Sequence, residues 1–311
     1  MSAAPLAFTA PADAPRWKRW LLYSALARIA LFGLFAGGSM AGVVWLLRQV
    51  VAPGHLPSDA RLIVGFVVQT ACFVAAYLFL VRVIERRRPV ELFPSRRLAQ
   101  LAGGACAGAG LIAVTVLLMW LAGGYQVTGT RTDIDWWIPL LTVGLGAAIS
   151  EEIAFRGVLF RIVEEAGGTW WALVVSALFF GAVHLGNPGA TLWNAAAIAI
   201  EAGLMLGLAY HLTRSLPLCI GIHLGWNFAQ GTIFGIPVSG TAPQGWLIAQ
   251  RPGPGWLTGG DFGAEASVLT VAVSAALTVG MLTLALRRQT LVPMRRRKPM
   301  MEAVPATETP C

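Results

Sequence analysis

Eight apolar stretches, each long enough to cross a lipid bilayer as a helix, constrain this chain more than any other feature of its sequence. They lie at residues 21–47, 62–84, 99–122, 137–160, 169–187, 191–212, 215–234 and 265–286. About 20 apolar residues span the hydrocarbon core of a bilayer as an α-helix. Only 12% of the 311 residues are charged, about half the fraction typical of soluble proteins. The sequence therefore predicts an all-α polytopic membrane protein with about eight transmembrane helices.

Basic residues are concentrated at alternate ends of these stretches. The net charge is +8, and most of the Lys and Arg residues flank apolar runs. This placement favours contact with anionic lipids over binding of nucleic acid. Because cytosolic segments of membrane proteins carry an excess of Lys and Arg, the pattern predicts a multi-pass protein of the cell membrane with both termini in the cytosol.

The apolar and polar segments divide the chain into six parts. We predict a disordered cytosolic N-terminus at 1–19, transmembrane helices 1–3 within 20–135, helices 4–7 within 136–234, an extracytosolic Gly/Pro-rich loop at 235–264, helix 8 at 265–286, and a basic disordered cytosolic tail at 287–311. Helices 4–7 hold most of the ionisable residues found inside the spans, and the family resemblance given below implies that they form a four-helix catalytic core.

The fourth apolar stretch carries three charged residues, Glu151, Glu152 and Arg156. A charge near the centre of a bilayer costs about 2.5 to 3.5 kcal/mol on insertion scales, so these residues must be paired or used. Glu152 and Arg156 are four residues apart and share one helix face, where they can form an ion pair. Glu151 points about 100° away from Glu152 and is free to face a pocket. A purely structural charge cluster is the alternative interpretation.

Two further helices each place a histidine one turn from another distinctive side chain. Phe180 precedes His184 by four residues, and His223 precedes Asn227 by four. If the cytosolic ends of the spans lie near residues 161, 173 and 216, the helical rise puts both histidines and Glu151 at similar depth. We therefore expect these groups to converge in the cytosolic half of the bilayer.

Two kinds of hydrolytic chemistry would use this set of residues. In the first, Glu151, His184 and His223 hold a zinc ion whose fourth position is left for water. In the second, Glu151 and His184 activate water directly, while His223 and Asn227 donate hydrogen bonds to the oxyanion. An amide side chain cannot titrate, and donation is the clearest use for Asn227, which favours the chemistry without a metal. Zinc stays open as a cofactor.

The three motifs together resemble those of the CPBP family, the Abi-like membrane proteases that include type II CAAX prenyl endopeptidases and bacteriocin-processing enzymes. The family patterns EExxxR, FxxxH and HxxxN appear here in order as Glu151-Glu152-x-x-x-Arg156, Phe180-x-x-x-His184 and His223-x-x-x-Asn227, and the resemblance covers roughly residues 137–230.

The resemblance implies an intramembrane endopeptidase whose cavity opens to the cytosolic side and whose substrate is a lipidated, prenylated or bacteriocin-like peptide in the membrane. It implies catalytic roles for Glu151, His184, His223 and Asn227, and supporting roles for Glu152, Arg156 and Phe180. The turn before the last histidine departs from the family pattern at Arg214 and Pro217, which affects the expected substrate preference.

Three other ionisable residues lie in or near the spans. We expect Arg28 to extend toward the cytosolic surface, His211 to lie at the membrane interface, and Glu201 to be either protonated or paired. Two other functions remain open from the sequence. The chain could be a non-catalytic immunity or scaffold protein of the same fold, or a transporter that relays protons through its buried Glu and His residues.

Overall fold

A computed structural model describes residues 8–50 and 57–294 of the chain and shows an all-α bundle. Its long helices are α1 (Ala25–Gln49), α2 (Ser58–Ile84), α3 (Arg97–Leu121), α4 (Trp137–Gly167), α5 (Thr169–Gly186), α6 (Leu192–Thr213), α7 (Leu216–Phe228, continued by wider turns over Ala229–Ile233) and α8 (Val268–Arg287). Each of the eight apolar stretches forms one helix. The largest difference is at α4, which continues seven residues beyond the predicted end at position 160.

Within the described residues, seven of these helices are long and apolar enough to cross a membrane. The eighth is α7, which carries His223, Asn227 and Gln230 and is packed inside the bundle against α3 and α4. The fold is therefore that of a polytopic membrane protein in which α7 packs mainly against α3 and α4.

Glycines bring α3 and α7 into close contact. A side chain at Gly104 or Gly108 of α3 would strike the backbone of α7, and one at Gly221 or Gly225 of α7 would strike the backbone of α3. Small residues of this kind let helices approach closely where lipid supplies no hydrophobic driving force. This contact determines the position of α7 and of the two polar motif residues on it.

A short β-ribbon was not predicted from the sequence. Strand β1 (Gln126–Thr130) pairs antiparallel with β2 (Leu247–Gln250), with an irregularity between Val127 and Gly129. The ribbon connects the segment after α3 with the Gly/Pro-rich segment after α7, and so helps to hold that long connection against the bundle.

Arg28 is buried in an ion-pair network and does not extend to the surface as predicted. Its guanidinium lies 2.9 Å from Glu85 and 2.7 Å from Glu165, and Arg161 lies 2.8 Å from Glu85. Burial by itself would raise the pKa of Glu85, but Arg161 and Arg87 outweigh burial and hold this pKa below its usual range. The network joins α1, α2 and α4 at one end of the bundle. The prediction failed because the partners of Arg28 are far away in sequence.

His211 and the start of the C-terminal tail also belong to the packed structure. His211 is buried, with Nδ1 2.7 Å from Glu164 and Nε2 3.1 Å from the hydroxyl of Thr290. The backbone N–H of Val292 donates to Thr169 at 2.8 Å. His211 thus packs in the bundle two residues before the end of α6, and its position at the membrane interface stays a prediction. The described start of the tail, 287–294, packs beside it; the remainder, 295–311, lies outside the described residues.

The described part of the N-terminal segment, for which disorder is predicted, contacts the bundle. Residues 16–23 are helical, and the backbone N–H of Phe8 donates to Glu165 at 3.0 Å. The N-terminal segment is thus attached to α4 near the charge network. Residues 1–7 lie outside the described range.

Candidate active site

The first part of the site is the ion pair on α4. Arg156 Nη1 donates to Glu152 Oε1 at 2.8 Å, and both side chains are fully buried. Arg156 Nη2 also donates to the carbonyl oxygen of Ala202 on α6 at 2.6 Å, and the guanidinium lies 4.6 Å from the centre of the Phe180 ring on α5. The spacing of four residues predicts the first contact. The other two show that the pair joins three helices.

Glu152 has a second partner that sequence reasoning missed. His223 Nδ1 lies 2.9 Å from Glu152 Oε1, the same oxygen that accepts from Arg156. Since an ionised carboxylate only accepts hydrogen bonds, His223 donates from Nδ1, and its Nε2 faces the interior of the bundle. Glu152 therefore orients a motif residue of another helix, in the way that a buried carboxylate orients an active-site histidine.

His184 is oriented by the backbone of its own helix. Its Nδ1 lies 2.7 Å from the carbonyl oxygen of Phe180, and a carbonyl oxygen can only accept, so Nδ1 carries the proton. In the neutral imidazole this leaves the lone pair on Nε2. The FxxxH spacing thus serves two purposes: Phe180 packs under the Arg156 guanidinium, while its carbonyl selects the tautomer of His184.

The motif residues meet at Glu151. Its Oε2 lies 3.9 Å from His184 Nε2 and 4.0 Å from His223 Nε2. This oxygen is buried and has no hydrogen-bond partner among the described residues. Asn227 Nδ2 donates to the carbonyl oxygen of Val143 at 3.1 Å. All four predicted catalytic side chains line one cavity of about 230 Å³.

The side chains as they lie do not fit a zinc ion. Ligand atoms about 2.1 Å from a tetrahedral zinc are about 3.4 Å apart, whereas Glu151 Oε2 is 3.9 and 4.0 Å from the two imidazoles. In the described part of the chain, no group of three or more His, Cys, Asp or Glu residues could hold a metal ion. The expectation of a metalloprotease is therefore not supported by this arrangement.

The cavity lies toward the end of the bundle opposite to the one expected. It is lined by Asn187, which follows α5, and by Ser239 and Thr241, which follow α7. The predicted cytosolic end has the turns at Gly168 and Arg214 instead. The depth comparison failed because α4 continues to Gly167 and because α5 begins at Thr169, so Glu151 and His184 are farther from that end than assumed. A cytosolic cavity and cytosolic termini, both expected from the sequence, are not compatible in this structure.

Two carboxylates that no motif contains also line the cavity. Glu201 is on α6, and Glu265 is in a 3₁₀ turn just before α8. Glu265 accepts from the backbone N–H and the hydroxyl of Ser239, at 2.8 and 3.0 Å. The sequence around Glu265 contains no signal that this residue lines the cavity. Its contact with Ser239, 26 residues earlier in the chain, brings the carboxylate there.

Stability at raised pH provides a test of this buried carboxyl. Burial raises the pKa of Glu265 to about 7, although Ser239 acts in the opposite direction. The folded protein therefore binds this proton more tightly than the unfolded chain does. The resulting stabilisation of the folded state is complete below about pH 4.5 and is lost as the pH rises through about 7. In Glu265→Gln this carboxyl no longer titrates. We therefore expect the free energy of unfolding to fall less as the pH rises than it does in the wild type, by up to about 3 kcal/mol.

The measurement is thermal unfolding of both proteins at about pH 5 and 8. Glu201 and His223 also face Glu265 and titrate in both proteins, so the difference between the two profiles is the informative quantity. Identical pH profiles for wild type and Glu265→Gln would contradict the assignment.

Fold and site together define a polytopic membrane protein with a buried Glu/His/Asn cavity among its core helices. Residues 133–229 match the family model described as Type II CAAX prenyl endopeptidase Rce1-like, a segment that contains all three motifs. This match supports the assignment of this part of the chain to the CPBP, or CAAX protease, family, which is a family of proteases. No curated protein and no solved structure matches the chain.

Proposed function

We propose that the protein is an intramembrane endopeptidase that hydrolyses peptide bonds of a membrane-associated substrate by activating water without a metal ion. The observation that carries the proposal is the approach of two imidazole Nε2 atoms to one buried carboxylate oxygen of Glu151, at 3.9 Å from His184 and 4.0 Å from His223. These separations are too long for direct hydrogen bonds and suit a water molecule that contacts more than one of the three groups.

In the first step, this water attacks the carbonyl carbon of the scissile amide. Glu151 accepts one proton of the water, and the lone pair of His184 Nε2 accepts a hydrogen bond from the other. The carbonyl oxygen becomes an oxyanion. When the C–N bond breaks, Glu151 returns the proton to the departing nitrogen, which leaves a carboxyl and an amine as products.

Two donors are available for the oxyanion. Asn227 Nδ2 has one hydrogen on Val143 and a second one for the cavity. His223 donates from Nε2 in its protonated form, which the Glu152 carboxylate at Nδ1 favours. Donors placed in advance at a developing negative charge supply a large part of the catalysis in such sites.

The proposed substrate is a peptide in the membrane, either prenylated or bacteriocin-like. The side of the membrane from which the cavity is reached bears on the choice between these two kinds of substrate.

We keep both termini in the cytosol as part of the proposal, because the basic residues are concentrated at that end. Anionic lipids are the partners of this basic surface. The cavity is then reached from the outer half of the membrane. Labelling by a membrane-impermeant maleimide of a cysteine placed at Thr241, in a chain without its native cysteines, tests this orientation in intact cells.

The proposal predicts proteolysis that is insensitive to removal of metal ions. Protein purified in detergent and washed with chelator should cleave labelled membrane peptides at the same rate as untreated protein, because Glu151 and not a metal activates the water. Peptide cleavage is followed by mass spectrometry, and bound metal by elemental analysis. About one zinc per chain, with activity lost on its removal and restored on its return, would contradict the mechanism without a metal.

A further inference from the structure

The cavity has a second acidic wall, formed by Glu201 and Glu265, which the reaction does not use. The two residues come from separate elements that are joined beside the cavity. Trp193 on α6 donates from Nε1 to the carbonyl oxygen of Ala266 at 2.8 Å, and Ala266 packs in one apolar cluster with Ile198 of α6. The positions of both carboxylates are therefore determined by packing.

Glu201 carries a polar atom without a partner. The residue is 2% exposed and lines the cavity, and its Oε2 is buried with no hydrogen-bond partner among the described residues. A buried carboxylate in this condition is costly unless it is neutralised by a proton or by a cation. The cavity is the space from which a ligand can supply that cation.

The charges around the cavity favour a cation as well. Its wall contains Glu151, Glu201 and Glu265, and it contains no Lys or Arg among the described residues. Protonated His223 offsets the charge of one of these three carboxylates, and two negative charges remain. The nearby Arg156 is engaged by Glu152 and by a backbone carbonyl. The wall would therefore attract an ammonium or guanidinium group and repel a carboxylate.

We propose that Glu201 and Glu265 form a subsite that binds a positively charged side chain of the substrate, a lysine or an arginine, next to the scissile bond. Glu201 Oε2 accepts one hydrogen bond of the cation. Glu265 accepts another through the lone pairs that Ser239 leaves free. This inference rests on the proposed function, because it assigns the substrate class of the same cavity.

A binding experiment tests the subsite independently of proteolysis. The probe is n-hexylammonium, with n-hexanol as its neutral analogue, and the readout is the unfolding temperature of the full chain in detergent at about pH 8. We expect hexylammonium to stabilise the wild type and the exposed-site control Asp59→Asn, and hexanol to have no such effect. In Glu201→Gln the affinity for hexylammonium should fall about 10- to 100-fold, as expected for loss of a charge-assisted hydrogen bond.

Glu265→Gln should weaken hexylammonium binding too, so the test still holds if Glu201→Gln does not fold. Equal effects of hexylammonium and hexanol, or unchanged affinity in both variants, would overturn the proposal. Displacement of hexylammonium by Ca²⁺ or Mg²⁺ at equal concentration would also overturn it and would identify a metal site instead.

Cleavage then tests the substrate class. Test peptides that carry lysine or its uncharged acetyl derivative at successive positions are compared in the wild type and in Glu201→Gln. We expect the wild type to prefer lysine at one position by about tenfold or more in kcat/KM, and this preference to disappear in the variant. Equal cleavage of both peptides overturns the subsite alone, whereas no cleavage of any peptide, together with hexylammonium binding, overturns the proposed function alone.

Discussion

Replacing Glu151 with glutamine is expected to lower peptide cleavage by about 10²- to 10⁴-fold, the range that general acid–base catalysis contributes. Glutamine keeps the size of the side chain, and it cannot accept the proton of the attacking water. The fold should be retained, because Oε2 of Glu151 makes no hydrogen bond among the described residues. The rate is measured with a labelled membrane peptide, and the unfolding temperature is recorded in parallel.

Two comparisons make this result specific to the reaction. Asp59→Asn removes a carboxylate at the exposed start of α2 and should cleave like the wild type. Asn227→Ala removes a proposed oxyanion donor and should cost about 10²- to 10³-fold in turnover. Wild-type turnover by Glu151→Gln would exclude the proposed role of this residue.

Replacing Arg156 with alanine is expected to destabilise the protein by about 3 to 5 kcal/mol, the cost of leaving a buried charge without its partner. Glu152 is fully buried and loses its ion pair, and the contacts with Ala202 and Phe180 are lost as well. Activity should fall with stability, because Glu152 also orients His223. Folded yield, unfolding temperature and cleavage rate are the measurements.

A double variant separates stability from catalysis at this pair. Glu152→Gln combined with Arg156→Met removes both buried charges, so no buried charge is left without its partner, which is what makes the single variant costly. We expect it to recover much of the stability that Arg156→Ala loses. Cleavage should stay low, because the carboxylate that favours protonated His223 is absent. A single Arg156→Ala variant with full stability and full activity would contradict the assignment of this pair.

Local spacing predicted the contacts that lie within one helix. Glu152 with Arg156, and Phe180 with His184, are one turn apart, and the helix brings each pair together whatever surrounds it. The carbonyl that orients His184 belongs to the same turn. These parts of the site follow from the periodicity of the α-helix, and they were available from the sequence.

Contacts between different helices could not be predicted from local spacing. The sequence did not predict that Glu152 would accept from His223, that Arg28 would pair with Glu85, or that Glu265 would reach the cavity. An amphipathic helix of a soluble protein shows its inward face as an apolar stripe. A helix such as α5 is apolar on nearly all sides, so its sequence does not indicate which side faces the bundle.

The sequence by itself determined the class of this protein, the number of its long helices and the candidate residues of its site. Length and hydropathy suffice for the first two, since lipid requires that backbone groups be satisfied within each helix. Only the tertiary structure decided which residues meet and at which end of the bundle the cavity lies. Those features depend on the rotation of each helix about its axis, on the extension of α4 to Gly167 and on the close packing of α3 against α7. Hydropathy does not predict any of these three.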